Sequence, residues 1–231
     1  MKTHLFAETL GEVGKAKGYS HHIETQLGAR AVRPNFYRQS PTMQKEIDQQ
    51  VKQMKENGII EPSNSEWHSP VVLTRTRNGE YHVAIGYRKL NKVTVPMSFP
   101  LPHIESVFDA IGEAKAQYFT SLDLRSGYWQ IPLSEEIKHK SAFITQSGMY
   151  QFNRMPYGLM NSGITCLTMM CNVLQGLNWK ICLVYVNDIL IFIRTLKNIL
   201  IILFRSFSGC MRHTFVSDLP NVTLLKRKLS F

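Results

Sequence analysis

Two acidic features in this chain stand where a charge is costly. Leu122-Asp123-Leu124 places an aspartate inside an apolar run, and Asn187-Asp188 separates two apolar stretches, Ile181–Val184 and Ile189–Ile193. A carboxylate at the end of a buried strand carries a large desolvation cost unless something pairs with it. Ordinary answers exist: an aspartate in a strand serves as a hairpin cap or half of an ion pair, and Asn-Asp between apolar strands makes turns. A divalent cation is another. Magnesium takes one or two carboxylates and leaves its other positions to water and phosphate oxygens. Two such ions about 4 Å apart activate an attacking hydroxyl and stabilise a leaving pyrophosphate. Such catalysis is mostly positioning and charge neutralisation.

The elements that must hold these residues follow from pattern. Residues 1–33 read as an extended lead-in. Ser40-Pro41 opens a helix with Ser as cap and Pro in the first turn; Met43, Ile47, Val51 and Met54 share its apolar face, and Gly58 ends it. Glu61–Pro70 reads as a polar connector. Val71–Leu73 and Tyr81–Ile85 are strands, turned by Arg77-Asn78-Gly79. Pro96, Pro100 and Pro102 mark an extended segment, and Ile104, Val107, Phe108 and Ile111 make a short amphipathic helix. Tyr118–Leu124 is a strand and Trp129–Leu133 a further extended stretch. Ser141–Thr145 and Met149–Asn153 pair across Gln146-Ser147-Gly148. A helix fills about 162–175 up to Gly176, and two apolar strands flank Tyr185-Val186-Asn187-Asp188. Helices and strands mix without a regular βαβ repeat, which gives an α+β fold.

Composition narrows the classes. The 231 residues are 44% apolar and 10% aromatic, enough to bury a core and to exclude disorder for most of the chain. The net charge of +10 invites an anionic partner, yet residues 194–231 hold seven basic residues against one acidic and so carry +6 of it. Cys166, Cys171, Cys182 and Cys210 lack zinc-site spacing and read as reduced thiols. Met1–Leu5 does not open a signal peptide. Asn187, Asp188, Arg194 and Lys197 interrupt the most apolar stretch, Ile181–Phe204, so no membrane span is expected and the chain reads as intracellular, in cytoplasm or nucleus.

The order of the motifs resembles the reverse transcriptase of gypsy-class LTR retrotransposons, part of a Pol polyprotein. The matching stretches are Gly58–Ser63, Trp67–Leu73, Tyr87-Arg88-Lys89-Leu90-Asn91, Phe99–Pro102, Ser121-Leu122-Asp123-Leu124-Arg125-Ser126-Gly127-Tyr128-Trp129-Gln130-Ile131, Arg154–Leu159 and Val184–Leu190. They run in family order from about 20 to 195. The resemblance implies an RNA-directed DNA polymerase with the fingers and palm of a right-hand polymerase: an antiparallel palm sheet backed by helices, spanning 34–193, with the thumb absent. It implies RNA or DNA template-primer and deoxynucleoside triphosphates as partners, and a two-metal Mg2+ site. Asp123 matches the first metal-binding aspartate, and Tyr185–Asp188 match the Tyr-x-Asp-Asp hairpin, which makes Asp123 and Asp188 the metal ligands. Tyr128 matches the aromatic residue under the incoming sugar, whose ring would exclude a 2′-hydroxyl; without the motif it reads as a packed aromatic. Tyr157-Gly158 match the loop touching nucleotide and template, or else form a simple Pro-x-Gly turn. Arg75 and Arg77 match a basic fingers hairpin that meets phosphates, or else a solvated one. Arg88 and Asn91 match a structural pair.

The departures matter as much. Asn187 stands where the family has a catalytic aspartate, and an amide offers a neutral carbonyl oxygen instead of a charged carboxylate. His82 replaces an Arg that grips the triphosphate, Gly86 an Asp and Thr76 a Lys. Asn161–Leu167 depart from the family's Asn-Ala-Pro-Ala-Thr-Phe-Gln. The resemblance fades near Thr195 and returns at Lys226–Phe231, so 194–231 form a divergent basic tail consistent with a reading-frame slip. Three readings follow: a polymerase domain with impaired catalysis, a non-catalytic relic that binds nucleic acid, or a decayed transposon fragment without a selected function.

Overall fold

The computed structural model describes residues 14–194, except 36, 76–78, 80, 101–102, 124–125 and 186–187, together with the backbone of residues 223 and 224. The side chains of Leu122 and Asp123 also lie outside the described residues, as do Thr76, Arg77, Asn187 and nearly all of the tail. The chain divides into two compact units, one of residues 20–97 and 131–162 and the other of residues 1–19, 98–130 and 163–231.

The first unit is built on a five-stranded sheet. Helix α1 spans Pro41–Glu56; Ser40 caps it by accepting from the Met43 N–H, Pro41 opens the first turn, and Ile47, Val51 and Met54 are buried. Gly58 follows at φ 65°, the left-handed turn that glycine supplies without a Cβ penalty. The strands are β1 Ile60–Pro62, β2 Ser69–Arg75, β3 Tyr81–Ile85, β5 Phe143–Thr145 and β6 Gly148–Phe152, in the order β1-β6-β5-β2-β3. β2 and β3 form the expected hairpin, with Val71 opposite Ile85 and Arg75 opposite Tyr81. β2 runs parallel to β5 through Ser69↔Phe143 and Pro70↔Ile144, while β5 and β6 pair antiparallel. The connector expected at Glu61–Pro70 is shorter than its polarity suggests, because Ile60–Pro62 joins β6 and Ser69-Pro70 joins β5. β3 ends the sheet, and Gln50 of α1 closes its open edge: Nε2 donates to the Tyr81 carbonyl at 2.7 Å and Oε1 accepts from the Val83 N–H at 2.9 Å. Helix α2, Arg88–Val93, was hidden from periodicity by its six-residue length. Tyr87 precedes it, 1% exposed, in a cluster with Ile23, Leu90 and Leu159; its hydroxyl donates to the Ser141 carbonyl at 2.8 Å, and burial raises its pKa well above the usual phenol value.

The lead-in joins this unit through His21, whose backbone N–H donates to the Pro132 carbonyl at 2.9 Å and whose carbonyl accepts from the Ser134 N–H. The ring is buried, and desolvation, with His22 nearby, lowers its pKa from 6.5 to about 4. The folded state therefore favours the neutral ring. Its contribution is complete above pH 6.5 and is lost as the pH falls towards 4, because the unfolded chain takes up the proton first. The shift corresponds to roughly 3 kcal/mol. The urea midpoint of the native chain is expected to fall between pH 7 and 4.5 by more than that of His21→Gln; equal falls would place the acid sensitivity elsewhere.

The second unit is built on a four-stranded antiparallel sheet in the order β7-β8-β4-β9, with β4 Tyr118–Asp123, β7 Cys182–Tyr185, β8 Asp188–Ile193 and β9 Thr223–Leu224. β9 pairs with β4 through Thr120↔Leu224 and Ser121↔Thr223. Helix α3, Ile104–Glu113, forms where the Ile104–Ile111 pattern places a helix, but it buries no residue. Helix α4, Ser162–Val173, buries Cys166, Leu167, Met169 and Met170, and Gly176 at φ 83° lies just beyond it. The extended stretch expected at Trp129–Leu133 is corrected at its start: Gly127–Gln130 form a 3-10 turn, closed by the Trp129 N–H on the Ser126 carbonyl at 2.8 Å. Burial raises the thiol pKa of Cys166 and Cys182 to about 12 and that of Cys171 above its usual value, so these thiols are protonated at neutral pH. No helix among the described residues is long and apolar enough to cross a membrane.

Candidate functional site

Strand register brings the two aspartates together. β4 and β8 pair antiparallel from Tyr118↔Ile193 to Asp123↔Asp188, so the last residue of one strand stands opposite the first of the other. β7 and β8 pair from Cys182↔Ile191 to Tyr185↔Asp188, leaving only Val186 and Asn187 as the link. The apolar runs explain the placement: Leu183, Val184, Ile189, Ile191, Phe192 and Ile193 are buried, whereas Tyr185 and Asp188 are exposed. On β7 and β8 the run of buried residues stops at the Tyr185↔Asp188 pair, which meets solvent. Opposed residues of an antiparallel pair have Cα atoms about 4.5–5.5 Å apart, and like charges on such a rung repel. A cation removes that repulsion. The backbone register sets Asp123 opposite Asp188, and Asp188 is open to water, a pair of residue types that suits a magnesium ion keeping water or phosphate oxygens in its other positions. Among the described residues no group of three or more His, Cys, Asp or Glu is placed to hold a metal, and the third position of the motif, Asn187, lies outside them.

Tyr128 belongs to the same unit and sits half-buried in the 3-10 turn. A Cβ at Gly163 of α4 would lie 3.5 Å from its hydroxyl, an ordinary van der Waals contact, so the phenol packs close to that helix.

The remaining candidates lie in the five-stranded unit. Arg75 and His82 are exposed on the β2–β3 hairpin. Arg75 is held on its own hairpin: Nη2 donates to the Tyr81 hydroxyl at 2.9 Å, and the guanidinium lies 5.0 Å from the Tyr81 ring centre. Its partner in the motif, Arg77, lies outside the described residues. Gly86 packs on the preceding strand; a Cβ there would come 3.2 Å from Pro70 Cγ, so a larger residue would need Pro70 to shift. Tyr157 and Gly158 are exposed, and Gly158 has φ 92°, a conformation other residues rarely adopt.

The residues that fix this loop were less visible in the sequence. Asn91 bridges it from α2: Nδ2 donates to the Gly158 carbonyl at 2.9 Å, and Oδ1 accepts from the Met160 N–H at 3.0 Å. Asn161 holds the other side, with Oδ1 accepting from the Met97 N–H at 3.0 Å and Nδ2 donating to the Val95 carbonyl at 2.8 Å. Each bond is worth about 0.5–1.5 kcal/mol net, and an orphaned partner costs more. Asn91→Ala is expected to destabilise the chain by about 2 kcal/mol and to speed amide exchange at Met160. Asn91→Asp, which keeps the acceptor, should preserve Met160 protection; equal exchange rates in the two variants would contradict the clamp.

A small antiparallel sheet with an acidic rung at its wet end, in a chain whose other unit is a five-stranded sheet, has the architecture of the palm and fingers of a nucleic-acid polymerase. The chain matches the family model described as "Reverse transcriptase (RNA-dependent DNA polymerase)" over residues 72–217 and belongs to that family. The match continues past Thr195, near which the motif resemblance fades. It is 34% identical over 226 residues to the Retrovirus-related Pol polyprotein from transposon 297 of Drosophila melanogaster, covering 94% of this chain and 21% of that one. It is 38% identical over 152 residues to the corresponding polyprotein from transposon gypsy of the same organism, covering 63% and 14%. The chain thus spans about a fifth or less of the length of these relatives. Its fold resembles that of the foamy viral protease-reverse transcriptase, solved in complex with double-stranded DNA, with a TM-score of 0.81 at 21% identity over 98% of this chain and 40% of that one.

Proposed function

We propose that this chain is a retrotransposon-derived RNA-directed DNA polymerase domain whose nucleotidyl-transfer centre is weakened by Asn187. The observation that carries the reading is the Asp123↔Asp188 rung at the solvent end of the β4–β8 pair, one residue after Asn187. In this reading Asp123 and Asp188 hold Mg2+, which when bound supplies charge neutralisation at the transferring phosphoryl group. Tyr128 excludes a ribose 2′-hydroxyl and so selects deoxynucleotides. Tyr157 and Gly158 contact nucleotide and template. Arg75, Arg77 and His82 meet triphosphate or template phosphates, which for Arg75 requires leaving the Tyr81 ring. Asn187 contributes a neutral amide oxygen where the family has a carboxylate, which suits one ion better than two. Template-primer and deoxynucleoside triphosphates are the partners.

The test is primer extension on a poly-RNA template with Mg2+ or Mn2+. The expected result is product no greater than that of Asp123→Ala. Product well above that control would contradict the impairment. Asn187 also favours a second reading, a chain that binds nucleic acid without copying it. In that case a labelled primer-template binds weakly, and affinity falls steeply between 50 and 200 mM salt; salt-independent binding counts against it.

A further inference from the structure

We propose that Ser126 is a positioning residue for Tyr128: its left-handed backbone sets the direction in which the phenol leaves the turn, and with it the preference for deoxynucleotides. The inference rests on the reading of Tyr128 as the residue that excludes a ribose 2′-hydroxyl. Among the described residues three that are not glycine have a positive φ: Lys115 at 47°, Ser126 at 47° and Trp179 at 68°. Such backbones are uncommon, persist only where the surroundings impose them, and gather at functional sites. Lys115 is accounted for by the end of α3: its N–H donates to the Gly112 carbonyl and the Ala116 N–H to the Ile111 carbonyl, the pair of bonds that closes a helix on a left-handed residue. Trp179 is held by its N–H on the Cys182 carbonyl at 2.9 Å and adjoins no candidate site residue. Ser126 has no helix to end. It stands three residues after Asp123 and two before Tyr128.

The turn it opens is fixed at both ends. The Trp129 N–H donates to the Ser126 carbonyl at 2.8 Å, and the Gln130 carbonyl accepts from the Ala16 N–H at 2.7 Å. Gly127 and Gln130 are buried, and Tyr128 lies half-buried between them. Its hydroxyl lies 3.5 Å from where a Cβ of Gly163 would stand, so the phenol has a defined place against α4. With the far end of the turn anchored, the φ of Ser126 decides how the chain enters it. A β-branched residue is a steric outlier at that φ, whereas glycine adopts it freely.

The test compares Ser126→Gly with Ser126→Val. Both remove the hydroxyl, and only valine opposes the backbone. In the full chain, an NOE between the Gly163 α-protons and the Tyr128 ring reads the placement without any turnover. It is expected in the native chain and in Ser126→Gly, and lost in Ser126→Val. Primer extension with Mn2+ in the Asn187→Asp background then reads the preference for deoxy- over ribonucleotides, a ratio that the amount of folded protein does not move. Ser126→Val should lower that ratio roughly tenfold, and Ser126→Gly should leave it unchanged. Ser126→Ala, which opposes the backbone less, should shift both readouts in the same direction as valine and serves if Ser126→Val does not fold. An unchanged NOE in the valine or alanine variant, or equal losses in Ser126→Gly and Ser126→Val, would overturn the proposal. A ratio that Tyr128→Ala leaves unmoved would instead overturn the reading of Tyr128, while the NOE still decides the placement.

Discussion

Asn187→Asp is expected to raise primer extension at least about a hundredfold over the native chain. Removing one preorganised electrostatic group from an active site costs roughly 10²–10³ in rate, and the substitution reverses such a loss. The amide and the carboxylate are nearly the same size, so what changes is charge and the number of oxygen donors. In the five-stranded unit Asn91 already holds the Tyr157-Gly158 loop by its backbone, and the Asn161 side chain anchors the end of the loop to the backbone of Val95 and Met97, so the gain does not depend on rebuilding that loop. Adding Asp123→Ala to Asn187→Asp should return extension to the background. If Asn187→Asp gives no gain, the block lies at the other departures, His82, Gly86 and the altered Asn161–Leu167 stretch, rather than at the hairpin.

The second large effect concerns stability. Phe192 is fully buried in β8, opposite Phe119 of β4, and its backbone N–H donates to the Ile181 carbonyl at 2.9 Å. Truncating a buried Phe to Ala removes its transfer energy and leaves a cavity, about 3–5 kcal/mol together. Domains of this size are stable by about 5–15 kcal/mol, so Phe192→Ala should remove much of the stability of the sheet that carries Asp188. Phe192→Leu keeps more of the volume and should cost markedly less. Urea midpoints measure both; a loss below about 1 kcal/mol for Phe192→Ala would contradict a close-packed sheet.

Local signals made part of this fold legible. The Ser40-Pro41 start of α1 and the Gly58 stop are chemical punctuation. Asn78-Gly79 between two β-rich runs specified the β2–β3 hairpin, and the apolar runs around Tyr185–Asp188 specified β7 and β8. What was not legible is non-local. The parallel pairing of β2 with β5 joins Ser69 to Phe143 across most of the unit, and β1 is three residues whose polarity reads as loop. The Gly127–Gln130 turn was misjudged because Trp129 and Ile131 favour strands in isolation. At the site, Asp123 and Asp188 were legible as costly charges, while their sharing one rung depends on β4–β8 register. The Asn91 and Asn161 clamps could have been suspected only from polar amides flanking a Pro-Tyr-Gly turn.

The central claim is that the Asp123–Asp188 rung is a divalent-cation site and that Asn187 weakens it. Calorimetric titration of Mn2+ into the native chain, Asn187→Asp and Asp123→Ala reads this directly, without template or primer. The account predicts at least tenfold tighter binding to Asn187→Asp than to the native chain, a difference of about 1.4 kcal/mol, and loss of binding in Asp123→Ala. Equal affinity in the native chain and Asn187→Asp, or binding that survives Asp123→Ala, would contradict it.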